Sequence, residues 1–138
     1  MHSITRNTRD NREVILIISI DLKNPQPIFE QVRDGLKNLI ICGVLKTDEK
    51  IPSVRELAQI LAINPNTIQK AYHQLEKEGY VYQVTGKGTF VAAVTPGENR
   101  EKIDQLMNEL LKLARELIFL GVSREAIKDA VDGLQRFT

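Results

Sequence analysis

Apolar residues recur at Ile28, Val32, Leu36, Leu39 and Ile40, with Glu30, Arg33, Asp34 and Lys37 between them. Steps of three and four put the first set on one face of an α-helix and the second on the other. Asn24, Pro25 and Pro27 mark its start, because proline in a first turn gives up an N–H that has no partner there, and Gly43 marks its end as a left-handed cap. A second helix is announced by Ser53-Val54-Arg55-Glu56, an S-x-x-E capping box, and carries Val54, Leu57, Ala58 and Leu61 as its inner stripe. The third begins at Asn64 as N-cap with Pro65 in the first helical position, and Ile63 and Ile68 are spaced as a hydrophobic staple across that start. Ile68, Ala71, Tyr72 and Leu75 face inward, and Gly79 stops it.

The link between Leu61 and Asn64 is so short that the second and third helices must cross steeply, which is helix-turn-helix geometry. Next, Tyr80 to Thr85 and Thr89 to Ala93 flank Gly86-Lys87-Gly88, a hairpin whose glycines permit positive φ at the tip; this is a wing. Upstream, the β-branched run Val14 to Ile20 predicts a strand, and residues 1–13 are too poor in apolar surface to order, so a mobile tail is expected. Downstream, Thr95-Pro96-Gly97 breaks the pattern. Ile103, Leu106, Leu110, Leu113, Leu117 and Leu120 then repeat at alternating threes and fours, widened by Met107, Leu111, Ala114 and Ile118. Gly121 ends that helix, and Ser123 opens another with Ala126, Ile127, Ala130, Val131 and Leu134 as its apolar side. So wide a stripe cannot be covered by its own short chain, so the two helices are expected to bury Ile127, Val131 and the long stripe against each other and a second copy.

The expected architecture is therefore α+β: a tail over 1–13, a winged helix-turn-helix domain of three helices and a small antiparallel wing over 14–94, a linker over 95–97, and a two-helix dimerisation domain over 98–138. With 138 residues and 42% hydrophobic content the chain can bury a core. Its 19 basic and 18 acidic residues leave a net charge of only +1, so a basic footprint has to be local. The one cysteine, Cys42, excludes an intrachain disulfide and a multi-cysteine zinc site, and is expected as a buried filler at a helix end. The run from Val14 to Ile20 falls far short of the ~20 residues of a membrane span and lacks a cleavage site, so a cytoplasmic protein without membrane attachment is expected.

With Ile68, Ala71, Tyr72 and Leu75 turned inward, the third helix presents Asn66, Gln69, Lys70 and His73 outward, with Asn64 at its leading end. Asn and Gln pair bidentately with adenine, and Lys reaches guanine acceptors or phosphate. Arg55, beside the Ser53 cap, is placed to fork onto a phosphate or base at a groove edge. Lys87, held between glycines with Thr85 alongside, is placed to approach a sugar–phosphate ridge. A solvated helix face, a surface ion pair for Arg55 and a purely conformational role for the glycines are the bland readings of the same residues; the combination of helix, turn and wing favours double-stranded DNA.

Ile51-Pro52-Ser53-Val54-Arg55-Glu56-Leu57-Ala58, Asn64-Pro65-Asn66-Thr67, Gly79-Tyr80 and Gly86-Lys87-Gly88-Thr89-Phe90-Val91 together resemble the N-terminal domain of GntR-family bacterial transcription regulators. Pro25 to Gln31 and Gly43 to Lys46 extend the likeness to about residues 20–93. The remaining helices resemble the short dimerisation domain of the YtrA subfamily. The resemblance implies a homodimeric repressor on a pseudo-palindromic operator, often of an adjacent transporter operon, with Arg55, Asn64, Asn66, Gln69 and Gly86 at contact positions. Ser53, Thr67, Lys70, His73, Thr85 and Lys87 complete the expected DNA-binding set. The chain departs from the family at Thr47-Asp48, where Pro-Gly is common, and at Ala62, where glycine usually stands.

No catalytic constellation is visible: His2 lies in the tail, His73 on the polar face, and Gly86-Lys87-Gly88-Thr89 lacks both the spacing and the following helix of a phosphate-binding loop. No enzyme, cofactor or metal site is expected. Two C-terminal helices give too little wall for an effector cavity of ~300 Å³ or more, so no effector pocket, or one shared across the dimer, is expected. The alternative to a DNA-binding regulator is a winged-helix module that docks a protein through the same polar face.

Overall fold

The computed structural model describes residues 11–15, 18–94 and 99–134. Their elements run α1 (Asn11–Ile15), α2 (Ile28–Ile41), β1 (Lys50–Ile51), α3 (Val54–Leu61), α4 (Pro65–Lys77), β2 (Val81–Val84), β3 (Gly88–Val91), α5 (Arg100–Phe119) and α6 (Arg124–Asp132). They fall into two compact units that divide between Ala93 and Val94.

In the first unit, α2, α3 and α4 enclose a core of Val32, Leu36, Leu39, Leu57, Ala58, Ile68, Ala71, Tyr72 and Leu75. Leu45, Ile51, Val81 and Val91 close it from the side of the sheet. The helix ends are fixed by local chemistry that the sequence announces. Ser53 Oγ accepts from the Glu56 N–H at 3.1 Å while Glu56 Oε1 accepts from the Ser53 N–H at 3.0 Å, completing the capping box of α3. Asn64 caps α4 by accepting from the Asn66 N–H at 2.8 Å. Gly43 and Gly79 take positive φ after α2 and α4. Each lets the next residue donate back into the last turn, Val44 to the Leu39 carbonyl and Tyr80 to the Leu75 carbonyl, both at 2.9 Å.

Ala62 does the same work after α3 without being glycine: it sits at φ 56, ψ 48, and Ile63 donates to the Ala58 carbonyl at 2.9 Å. A Cβ in this region costs about 1 kcal/mol or slightly more. The surrounding burial of Leu57, Ala58 and Ile68 far outweighs that, at roughly 1.5–3 kcal/mol for each large side chain, so the core imposes the turn.

The wing has three strands rather than two, in the order β1-β3-β2, all antiparallel. β2 and β3 pair from Val81↔Val91 to Val84↔Gly88. The additional strand, β1, pairs Lys50 with Phe90 and Ile51 with Thr89. It is set by Asp48, which turns the chain at φ 66 and donates its N–H to the Val91 carbonyl at 2.8 Å. Aspartate tolerates that left-handed turn in place of glycine.

Three expectations are corrected. The described part of Val14 to Ile20 is not a strand: Val14 and Ile15 close the helical turn α1, and Ile18, Ser19 and Ile20 are irregular chain. The exposed edge of the sheet, β1, is two residues long, too short to template a seven-residue strand. The Asn11 side chain meets that edge instead, donating to the Lys50 carbonyl and to Glu49 Oε2, and Ile15 is fully buried. Asn11 to Glu13 therefore belong to α1 rather than to a tail, while residues 1–10 and the linker 95–97 lie outside the described residues. Cys42 is exposed, not buried. It lies about a quarter turn off the line of Val32, Leu36 and Leu39.

In the second unit, Gly121 at φ 100 ends α5, and Ser123 Oγ accepts from the Ala126 N–H at 3.1 Å to cap α6. Neither helix buries a single residue among those described. Ile103, Leu106, Leu110, Leu113, Leu117 and Leu120 are between 41% and 70% exposed, and Val131 is 49% exposed. Ile127 is half-buried.

Two stability predictions follow from the first unit. Ala62→Gly removes the cost of the left-handed alanine and gives back part of it through the freer unfolded chain, so a net gain of about 0.5–1 kcal/mol is expected in urea unfolding. A loss would mean the link is unstrained. Tyr72 is buried and donates its hydroxyl to the Pro52 carbonyl at 2.6 Å, and burial pushes its phenol well above the ordinary range. A raised folded value gives stability that is present below the unfolded phenol value of about 10 and is lost as pH rises past it. Tyr72→Phe is expected to flatten the fall in thermal stability above about pH 10 while costing about 1–3 kcal/mol at neutral pH; an unchanged alkaline profile contradicts this.

Candidate nucleic-acid interface

The inward stripe of α4 fixes which of its residues meet solvent. Ile68, Ala71, Tyr72 and Leu75 are buried, and Asn66, Gln69, Lys70 and His73 are exposed on the far side. Thr67 is half-buried on the flank. The Asn64 side chain is engaged in capping, so its amide N–H₂ is the part left to face outward. Lys70 is not free-floating: its ammonium lies 4.1 Å from the centroid of the Phe29 ring, one helix away in the first turn of α2. Such a contact holds an exposed lysine by about 0.5–1 kcal/mol, weakly enough for a phosphate to displace it.

A surface groove of about 510 Å³ runs between the start of α3 and the hairpin tip. Ser53 and Glu56 line one side, and Thr85, Gly86 and Lys87 the other. Sequence-expected residues from two separate elements thus converge on one feature, while Arg55 and the α4 side chains lie outside its lining. The tip is shaped by Gly86 at φ 77, which lets Lys87 donate its N–H to the Val84 carbonyl at 2.9 Å. Lys50 and Gln83 also line the groove. Sequence reasoning missed both, because Lys50 lies on the unexpected strand β1 and nothing local marks it.

The electrostatics separate structural cations from unpartnered ones. Arg33 hydrogen-bonds Asp34 at 2.9 Å, Lys37 lies 3.5 Å from Glu78, and Arg12 lies 3.4 Å from Glu56. Arg55 and Lys87 are exposed and make no ion pair among the described residues. Glu56 is the one carboxylate lining the groove among the described residues. Its carboxyl is held below the usual range first by the Ser53 backbone N–H, then by the Ser53 hydroxyl and by Arg12. Both of its oxygens are engaged, one by Ser53 and one by Arg12. Among the described lining residues, Lys50 and Lys87 against Glu56 leave a small local positive excess on a chain of almost neutral total charge. Among the described residues there is no His, Cys, Asp or Glu cluster able to hold a metal ion, and no helix long and apolar enough to cross a membrane.

A short helix pair crossing at a left-handed link, an exposed polar face on its second member and a three-stranded wing define a winged helix-turn-helix protein. A model of the bacterial regulatory proteins of the gntR family matches residues 28–91. The chain is 37% identical over 116 residues to the HTH-type transcriptional repressor YtrA of Bacillus subtilis (strain 168), across 82% of this chain and 88% of that one. Among solved structures, a transcriptional antiterminator from Listeria monocytogenes EGD-e matches with a TM-score of 0.71 at 37% identity, over 83% of this chain and 86% of that one. The AraR(DBD) chain in complex with an operator matches with a TM-score of 0.50 at 34% identity, over 54% of this chain and 96% of that one. The protein belongs to the gntR family, and its likeness to YtrA extends through most of both chains.

Proposed function

We propose that the protein is a sequence-specific DNA-binding transcriptional regulator, a cytoplasmic repressor that acts as a homodimer on a pseudo-palindromic operator. The observation that carries this reading is the outward face of α4, where Asn66, Gln69, Lys70 and His73 are exposed, together with Arg55 and Lys87, exposed cations that make no ion pair among the described residues. In this reading residues 14–94 engage the duplex. Asn66 and Gln69 read base edges in the major groove, and Arg55 and Lys87 hold phosphates on either side. Family membership and the naming of its relative as a repressor support the assignment.

Residues 98–138 are assigned to dimerisation through Ile103, Leu106, Leu110, Leu113, Leu117, Leu120, Ile127 and Val131. Support comes from the exposure of this stripe on helices that bury nothing alone. An apolar surface that large marks an interaction site. A two-fold dimer would set its recognition helices about 34 Å apart, or a longer helical multiple, and so match an operator with related half-sites.

Selection of bound duplexes from a random pool is expected to return a motif with two-fold symmetry. Gln69→Ala and Asn66→Ala should each relax preference at particular base pairs by about 1–3 kcal/mol, whereas Lys87→Ala should weaken all sequences alike. Equal, sequence-blind losses in all three variants would overturn the division of roles. Sedimentation of the wild type at micromolar concentration is expected to show a dimer that Leu110→Glu shifts toward monomer; a wild-type monomer overturns the role given to α5 and α6.

A further inference from the structure

Lys50 enters the interface by a route visible only in three dimensions. Its backbone is held in β1 opposite Phe90, on the neighbouring strand from the hairpin tip. From there its side chain runs along β3 over Gly88: a Cβ built on Gly88 would come within 2.8 Å of Lys50 Cε and 3.6 Å of Nζ. Gly88 also sits at φ 126, where side chains are strained. The glycine thus does two things: it makes the turn, and it leaves bare backbone over which the lysine stem lies. Lys50 is exposed, lines the groove shared by Ser53 and Lys87, and makes no ion pair among the described residues. The groove's own carboxylate, Glu56, accepts from the Ser53 N–H and lies 3.4 Å from the Arg12 guanidinium, which offsets its charge.

We propose that Lys50 is a further DNA-contacting residue, and that the groove between the wing and the start of α3 seats the sugar–phosphate ridge, with Lys50 and Lys87 each placed on a phosphate oxygen. The proposal rests on the DNA-binding reading given above and adds to it a cation and a location. A lysine ammonium binds phosphate as a point charge, so the contact supplies affinity and position without base preference.

The test is the salt dependence of binding to a mixed-sequence duplex, which needs no operator. Each phosphate neutralised contributes about 0.9 to the slope of log affinity against log salt. Lys50→Ala is expected to lower that slope by close to one contact, to weaken mixed-sequence and selected duplexes by the same factor, and to leave thermal unfolding unchanged because the side chain is exposed. Lys50→Arg is expected to keep the slope, and Lys50→Ala with Lys87→Ala to lose about two contacts. Lys50→Ala with the wild-type slope overturns the proposal while leaving the regulator reading intact. Wild-type protein without affinity for any duplex at low salt overturns both. A loss confined to one selected sequence would make Lys50 a base reader and overturn the phosphate assignment.

Discussion

A single buried hydrogen bond holds the two halves of the interface in register. Tyr72 lies in the middle of α4, and its hydroxyl reaches the Pro52 carbonyl, in the short segment that ends β1 and precedes the Ser53 cap of α3. Sheet, α3 and α4 therefore meet at one point inside the core. A buried carbonyl left without a partner costs about 1–3 kcal/mol, and Tyr72 is the donor that spares Pro52 that cost. Rotation of α4 about its axis would withdraw the hydroxyl and expose Ile68 and Leu75 together, so the outward direction of Gln69 and Asn66 is fixed by the same contact that closes the core.

Around that point the chain distributes its work by local rules. Caps of four kinds end the helices of the first unit where the interface needs them to end: a serine–glutamate box, an asparagine, glycines, and an alanine pressed into a glycine's conformation. The alanine is the informative exception. A residue that resists the left-handed turn sits in the short link that sets the crossing of α3 and α4, which means packing on both sides, not the link itself, dictates the crossing.

Much of this was legible in the residues alone. The capping box at Ser53, the proline after Asn64, the period of Ile68 to Leu75 and the paired glycines at 86 and 88 each carry a local signature, and the elements they announce are present. The outward set on α4 follows from its inward stripe by geometry. What was not legible depended on tertiary contacts. Val14 to Ile20 has the composition of a strand, yet Ile15 is used as a core plug and Asn11 as a hydrogen-bond donor to the sheet edge. β1 is two residues long, below any periodicity, and is defined only by what it pairs with; Lys50 was hidden with it. Cys42 is a small residue at a helix end, a position whose burial depends on a rotation of a fraction of a turn.

The helices after the wing carry a different implication. A segment that buries none of its described residues derives almost nothing from its own collapse, so what order it has beyond local helix propensity must be supplied by whatever covers it. For an assembly of identical copies that supply is set by mass action, and stability becomes inseparable from protomer concentration. In the proposed dimer, then, the regulator would gauge its own abundance: dilution would dissolve the scaffold that spaces the reading heads before it disturbed either head.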